Sequence, residues 1–571
     1  MRKEWLFRED VDTQAVDDLA ESLMIDKILA KILIQRDVRT YDQANYFFRP
    51  SLLDLHDPFL MKDMDIALER IDDAINSGES VLIYGDYDVD GTTSVAMLYS
   101  FFRAKFKRIE FYIPDRYLEG YGISKKGIEY AHENNFSLII AIDCGIKAIE
   151  EIKYAREKMI DVIICDHHFP DEELPDAVAI LNPKRADCDY PFKLLSGCGV
   201  GFKLLQAFSS RNDIHFKKLE VYLDLLCVSI ASDLVPIIGE NRIFAYHGLK
   251  RLRKNPRLGF TKMLDRSGSN IEELTINDIS FKIGPKINAA GRMDSGRKAV
   301  ELLIVKGDKL ANELLEIIED HNDSRKLIDS SITETALKEL KENQNSKNLK
   351  AIVLYNKDWH KGVIGIVASR LIEVYYRPTI ILAKSNGMVT GSGRSVEGFD
   401  IYKAIESCSE YLETFGGHKY AAGLTLKEGN LEGFKKSFEN YVENNITIDQ
   451  LKPRLLADTL INISDITPKF LRVLKQFGPF GIGNANPVFI TKNVVGTARK
   501  VGKENEHLKL EIRDADNNFC LSGIAFKQAD GYDIINKGIP FNICYTLEEN
   551  TYNNIKSIQL MILDIQNCES D

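Results

Sequence analysis

Residues 85–94 read GDYDVDGTTS: the apolar run SVLIYG (80–85) enters a loop carrying Asp86, Asp88 and Asp90, and the chain leaves it through Gly91 into the apolar-periodic TTSVAMLYSFFRA. A strand ending in Tyr84, an acidic loop and a helix is the local plan. Alternate spacing lets two of the carboxylates converge on one point. The stretch is similar to the start of a calcium-binding EF-hand loop, but no Glu stands at the twelfth loop position and the flanks are strand and helix, which excludes calcium sensing.

Working outward, RIEFYI (108–113), SLIIAID (137–143) and DVIICD (161–166) repeat the strand pattern with helical stretches between them. This reads as βαβ units on a parallel sheet, in which ligands bind at the carboxyl ends of the strands. The polar residues fall there. One strand ends in Asp143, another in Asp166-His167-His168, and a later apolar helix ends in Ser232-Asp233. Burying so many carboxylates without cations costs several kcal/mol each, and no Lys or Arg lies within the motifs. Aspartate oxygens with imidazole point to Mn²⁺ or Mg²⁺ rather than thiolate-rich zinc. Two such ions about 4 Å apart are the usual apparatus of phosphoester hydrolysis.

The rest of the 571 residues organises around this domain. The expected fold class is α/β with a C-terminal all-β barrel: an N-terminal extension (1–50), the parallel-sheet catalytic domain (51–307), a long connecting helix (308–345) without Gly or Pro, a second α/β domain (346–448) and an OB-like barrel (449–571). Hydrophobic residues at 44% and charged residues at 28%, with no eighteen-residue apolar run, suit a soluble globular chain. The start MRKEWLFREDVD lacks the apolar stretch of a signal peptide, so a cytoplasmic, nucleoid-associated bacterial protein is expected. Nine cysteines without a CxxC pair, several in apolar runs (Cys144, Cys165, Cys227), suit buried reduced thiols and no structural zinc. A net charge of −11 disfavours indiscriminate nucleic-acid binding. The basic runs Arg103-Lys105-Lys107-Arg108 and Lys250-Arg251-Arg253-Lys254-Arg257 read more readily as solvated helix faces than as a DNA groove.

With GDYDVDG, AIDCG, DHH and SDL in this order, the first domain resembles the DHH phosphoesterase superfamily. WHKGVIGIVASR (359–370), GSGRS (391–395) and GGHKYAAG (416–423) look like the DHH-associated substrate-binding domain. FGPFGIGNANPVF (477–489) followed by HLKL resembles the OB domain of the superfamily's single-strand-specific 5′→3′ DNA exonucleases, as PDRYLEGYG (114–122) and INAAGRMDSG (287–296) resemble other parts of them.

The resemblance implies that Asp88, Asp90, Asp143, His167 and Asp233 hold two divalent cations, Mn²⁺ or Mg²⁺, with Asp143 bridging them. It further implies that Asp86 and Asp166 support these ligands, that His168 touches the scissile phosphate, and that Arg292, Ser392 and Arg394 grip a 5′-terminal phosphate. Gly416 and Gly417 let the backbone approach a ligand that His418 and Lys419 can bind. Some DHH phosphatases carry a histidine where this chain has Tyr84. Of Phe477, Phe480 and Phe489, at least two are expected in the core, the barrel otherwise offering base-stacking platforms.

The implied activity is processive or near-processive degradation of single-stranded DNA from the 5′ end to mononucleotides, in repair and recombination. The chain is expected to work as a monomer beside a single-strand-binding protein and a RecQ-type helicase, away from membranes. It stops soon after the barrel, so a further C-terminal domain found in longer relatives is expected to be absent. A DHH phosphodiesterase for short oligonucleotides or cyclic dinucleotides would need no OB domain, and a non-catalytic scaffold would have lost ligands that are all present here.

Overall fold

The computed structural model describes residues 3–293, 295–342, 349–516, 519–552 and 555–568. Its first sheet is wholly parallel: β1 (Ser80–Gly85), β2 (Arg108–Tyr112), β3 (Leu138–Ile142), β4 (Asp161–Cys165) and β5 (Ala179–Leu181), in the order β2-β1-β3-β4-β5. β3 is buried at every residue, as expected of a strand covered on both faces. The strand order reverses between β1 and β3, which opens a crevice at their carboxyl ends. Three helices buried along most of their length pack beside it: α1 (Val89–Phe102), α2 (Gly197–Arg211) and α3 (Leu223–Ser232).

The chain divides into two compact units. The larger comprises Trp5–Asn288, Ser295–Leu315 and Leu456–Asp571, the smaller Met1–Glu4, Ala289–Asp294 and Glu316–Leu455. The expected connecting helix is α4 (Asp308–Glu342), 35 residues long and divided between the two units; residues 343–345 of the expectation lie outside the described residues. Within the smaller unit, Arg370 Nη2 lies 2.7 Å from the buried Asp329 Oδ1 of α4.

The smaller unit carries a mixed sheet of β6 (Ile352–Asn356), β7 (Thr379–Ser385), β8 (Met388–Arg394), β9 (Leu412–His418) and β10 (Ala421–Leu426), in the order β9-β10-β8-β7-β6, with α5 (Ile364–Tyr375) packed against it. Only β6 and β7 are parallel. The GGHKYAAG stretch is the tip of the β9–β10 hairpin. Gly417 sits there at φ +142°, where an added Cβ would lie 2.4 Å from Ala421 O, so only glycine fits.

In the larger unit, β11 (Phe489–Val501), β12 (His507–Asp514), β13 (Cys520–Ala525), β14 (Phe541–Tyr552) and β15 (Ile555–Asn567) run in the order β11-β12-β13-β15-β14, and β14 pairs back onto β11. The result is a closed five-stranded barrel of OB type. Its core is shared with the N-terminal helices: Leu29, Leu33 and Phe47 pack in one apolar cluster with Phe477, Phe489, Leu510 and Ile543. Phe477 and Phe489 are fully buried and Phe480 partly so.

The second basic run is used to hold the fold. Arg257 pairs with the buried Asp224 at 2.8 Å, and Arg253 donates to Leu274 O at 2.6 and 2.9 Å. Among the described residues no disulfide forms, and Cys144, Cys165 and Cys227 are buried. Among the described residues no helix is long and apolar enough to cross a membrane.

Candidate metal centre

Each acidic or histidine motif reaches the crevice on a different element. Asp86 and Asp88 follow β1, and Asp88 caps α1 by accepting from Gly91 N at 3.0 Å. Asp90 enters on the first turn of α1, buried, and accepts from Gly197 N (2.6 Å), Cys198 N (2.9 Å) and Ser229 Oγ (2.7 Å). The start of α2 therefore points its unpaired N–H groups at this carboxylate. Asp143 follows β3 in the left-handed region at φ +60°, held by its own N–H to Cys165 O at 2.8 Å. Asp233 comes from the end of α3.

His167 is the focus. Its Nδ1 lies 3.0 Å from Leu195 O, and a carbonyl can only accept, so Nδ1 carries the proton and the neutral ring presents a lone pair at Nε2. That Nε2 lies 3.3 Å from Asp143 Oδ1, 3.6 Å from Asp233 Oδ2 and 3.8 Å from Asp90 Oδ2. Neither Nε2 nor Asp143 Oδ1 has a hydrogen-bond partner, and both are buried. A lone pair facing three carboxylates is repulsive unless a cation lies between them. Burial pushes the imidazole down to about 4 against the opposing charge of Asp90, so protonating His167 does not supply that cation near neutrality. Burial first, then the neighbouring Asp charges, push Asp143 and Asp233 well above the usual carboxylate range; Asp86 and Asp88 rise for the same reasons. The donor set fits divalent metal.

Two sets of ligand atoms each gather within 4.8 Å: Asp143, His167 and His168, and Asp90, His167 and Asp233. Asp88 belongs to neither set, its carboxylate being turned to the helix cap, although its charge acts on Asp143 and Asp233. Asp166 organises the loop: Oδ1 accepts from His167 N, His168 N and His168 Nδ1 at 2.7, 3.1 and 2.7 Å, and Oδ2 from Ile146 N at 3.0 Å. Burial alone would raise this carboxyl, but His168 prevails and holds it below its usual range. Asp86 Oδ1 is buried without a partner. Tyr84 takes no part: its phenol is buried, donates to Gly122 O and stacks on Tyr112.

In the smaller unit, Arg394 Nη1 lies 3.0 Å from Ser392 Oγ, and both side chains flank Gly365 in the first turn of α5, where an added Cβ would meet them at 2.8 and 2.9 Å. Arg292 donates to Gly362 O at 2.9 Å, just before that helix. His418 and Lys419 are exposed at the hairpin tip. Sequence reading missed Gly197 and Ser229, which hold Asp90, and Tyr121, whose hydroxyl lies 3.1 Å from both Asp143 O and His168 Nδ1. The run SGCGVG (196–201) was the available signal: a Ser cap followed by glycines that admit close approach.

A parallel sheet whose switch point gathers aspartates around DHH histidines defines a phosphoesterase of the DHH class. Family models match accordingly: the DHH family, N-terminal domain over residues 80–230, the DHHA1 domain over 348–444 and the RecJ OB domain over 457–564. The chain is 36% identical over 556 residues to the single-stranded-DNA-specific exonuclease RecJ of Bacillus subtilis, covering 97% of this chain and 70% of that protein. It is 31% identical over 540 residues to its Haemophilus influenzae counterpart, covering 90% and 92%. The crystal structure of RecJ in complex with Mn²⁺ from Thermus thermophilus superposes with TM-score 0.85 at 25% identity, over 99% of this chain and 80% of that one. The chain belongs to the RecJ family.

Proposed function

We propose that this protein is a metal-dependent exonuclease that degrades single-stranded DNA from its 5′ end, releasing 5′-mononucleotides. The observation that carries the reading is the unprotonated His167 Nε2 set among the carboxylates of the buried Asp90 and Asp143 and the half-buried Asp233. In this reading Asp88, Asp90, Asp143, His167 and Asp233 would hold two divalent cations, Mn²⁺ or Mg²⁺. The cations, when bound, supply a water of lowered pKa and neutralise phosphate charge.

The chain's own residues then do three things. Leu195 O fixes the His167 tautomer, and the α2 amides with Ser229 hold Asp90 in place. Asp166 and Tyr121 orient His168, whose pKa is raised by the Asp166 hydrogen bond against the pull of burial, so that it can donate to a non-bridging oxygen of the scissile phosphate. Arg292, Ser392 and Arg394 take the 5′-terminal phosphate, Arg supplying paired N–H groups, and His418 and Lys419 offer further phosphate contacts. In this reading residues 51–307 serve as the catalytic domain, 308–345 as the connecting helix, 346–448 as the substrate-binding domain and 449–571 as the barrel that binds single strands. A single-strand-binding protein and a RecQ-type helicase are the fitting partners of a monomeric, cytoplasmic enzyme of this kind.

Strands labelled separately at the 5′ and 3′ ends, digested with Mn²⁺ or with EDTA and with a duplex as control, test the reading. Immediate release of the 5′ label as mononucleotide, only with metal and only from single strands, is expected. Release of the 3′ label first, or hydrolysis of dinucleotides alone, would overturn it.

A further inference from the structure

Large apolar side chains stand exposed around the metal centre, immediately after its polar residues: Phe169, 72% exposed, follows His168, and Leu234, 60% exposed, follows Asp233. Leu234 also adopts φ +58°, a conformation that costs a non-glycine residue about 1 kcal/mol or more. Exposed apolar groups at the mouth of a polar crevice mark a surface that something covers.

Phe169 is not a loose side chain. The Lys184 ammonium lies 4.6 Å from its ring centroid, and the turn bearing Lys184 is locked to the DHH loop: Asn182 Nδ2 donates to His168 O at 2.9 Å and Asn182 Oδ1 accepts from Lys184 N at 2.8 Å. The nearby anions acting on Lys184 are Asp233 and Asp166, but the ammonium forms no ion pair with either, and its contact is the Phe169 ring. A half-buried cation is thus held on an aromatic face, one residue from the histidine assigned to the phosphate.

We propose that Phe169 and Lys184 form a substrate clamp: the nucleobase adjoining the scissile phosphate packs on the free face of Phe169, and Lys184 bonds a backbone phosphate oxygen of the same strand. This inference rests on the single-strand exonuclease reading and deepens it. A base can lie on Phe169 only when it is splayed from its partner, so the clamp also favours single strands over duplex. Every base has a face to stack, so the clamp has no sequence preference.

The test compares the full-length wild type with Phe169→Ala, Phe169→Trp, Lys184→Gln and Lys184→Arg in Mn²⁺, on 5′-phosphorylated strands that are intact or abasic at the first, second or third nucleotide. On intact strands Phe169→Ala should raise KM roughly 5- to 100-fold with kcat little changed, the worth of one stacked base, and Phe169→Trp should restore it. For one member of the abasic series the gap between Phe169→Ala and wild type should close, because the base that used the ring is gone. Lys184→Gln should flatten the salt dependence of KM by about 0.7 in log–log slope, one phosphate contact on a single strand, and Lys184→Arg should keep it. Equal losses on intact and every abasic strand, or KM within twofold of wild type, would overturn the clamp alone. Failure of the wild type to release nucleotides from intact strands would overturn the exonuclease reading, and the clamp with it.

Discussion

Gly197→Ala should disable the metal centre without replacing any ligand. The added Cβ would stand 2.4 Å from Asp143 Oδ1, 2.6 Å from its Cβ and 2.7 Å from its Cγ, so the pair must part by about 0.6 to 1 Å to reach 3.0–3.4 Å. Metal–ligand distances tolerate only about 0.2 Å. Asp143 has little room to yield, because its backbone is fixed at φ +60° with its N–H on Cys165 O. If α2 retreats instead, the 2.6 Å bond from Gly197 N to Asp90 lengthens, and the second set of ligands suffers. Mn²⁺ affinity and strand cleavage should each fall 10- to 100-fold, the scale of disturbed ligand support, with about 1–3 kcal/mol lost from folding stability. Isothermal titration with Mn²⁺, a nuclease assay and urea unfolding measure the three. Gly201→Ala on the same helix is the control, since its Cβ meets the flexible end of Ile142, Cδ1 at 2.8 Å. Should Gly197→Ala bind Mn²⁺ and cut within twofold of wild type, the close packing of α2 on Asp143 would not matter to the centre.

Asp143→Ala should abolish cleavage while sparing strand binding measured by fluorescence anisotropy; residual activity above about one-hundredth of wild type would exclude a bridging role. In EDTA, burial and the neighbouring carboxylates hold the folded-state pKa of Asp143 well above its unfolded value, so the folded form binds the extra proton and wild-type stability relative to Asp143→Asn should rise as pH falls through the folded-state value towards the unfolded one. Melting curves of the two proteins check this, and a difference that stays flat or shrinks on acidification contradicts the crowded carboxylates. Arg257→Ala leaves the buried Asp224 carboxylate with backbone N–H donors from Leu225 and residue 257 but, among the described residues, no ion pair closer than Arg251 at 4.0 Å, and should cost about 3–5 kcal/mol in urea unfolding while leaving the salt dependence of DNA binding unchanged. A loss below about 1 kcal/mol, or a flatter salt dependence, would return this basic run to the DNA-binding surface.

The first four parallel strands were legible because buried strands are written as short, continuous apolar runs, and the site because three of them, β1, β3 and β4, run into Asp or Asp-His-His. β5 was not, being three residues long. The β9–β10 hairpin hid for another reason: LETFGGH and AAGLTL mix glycines with polar residues, and pairing within a sheet overrode the weak strand propensity of that stretch. Support for Asp90 was invisible because Gly197 and Ser229 lie 107 and 139 residues away, and nothing local marks a backbone N–H as a carboxylate's partner. Asp88 shows the limit from the other side. The resemblance implies a ligand role equal to that of Asp90, and nothing in the sequence shows that Asp88, as the N-cap of α1, also accepts from Gly91 N. The core that joins residues 16–47 to a barrel more than four hundred residues later is likewise a tertiary fact without a local signal.

Anomalous diffraction from crystals of the full chain grown with Mn²⁺ tests the central claim most directly. Two peaks are expected, both in contact with Asp143, with His167 Nε2 coordinating one of them while Nδ1 stays on Leu195 O. A single peak would contradict the pair of cations. No peak, with His167 Nε2 still facing Asp90, Asp143 and Asp233, would contradict the metal centre and the hydrolytic function built on it.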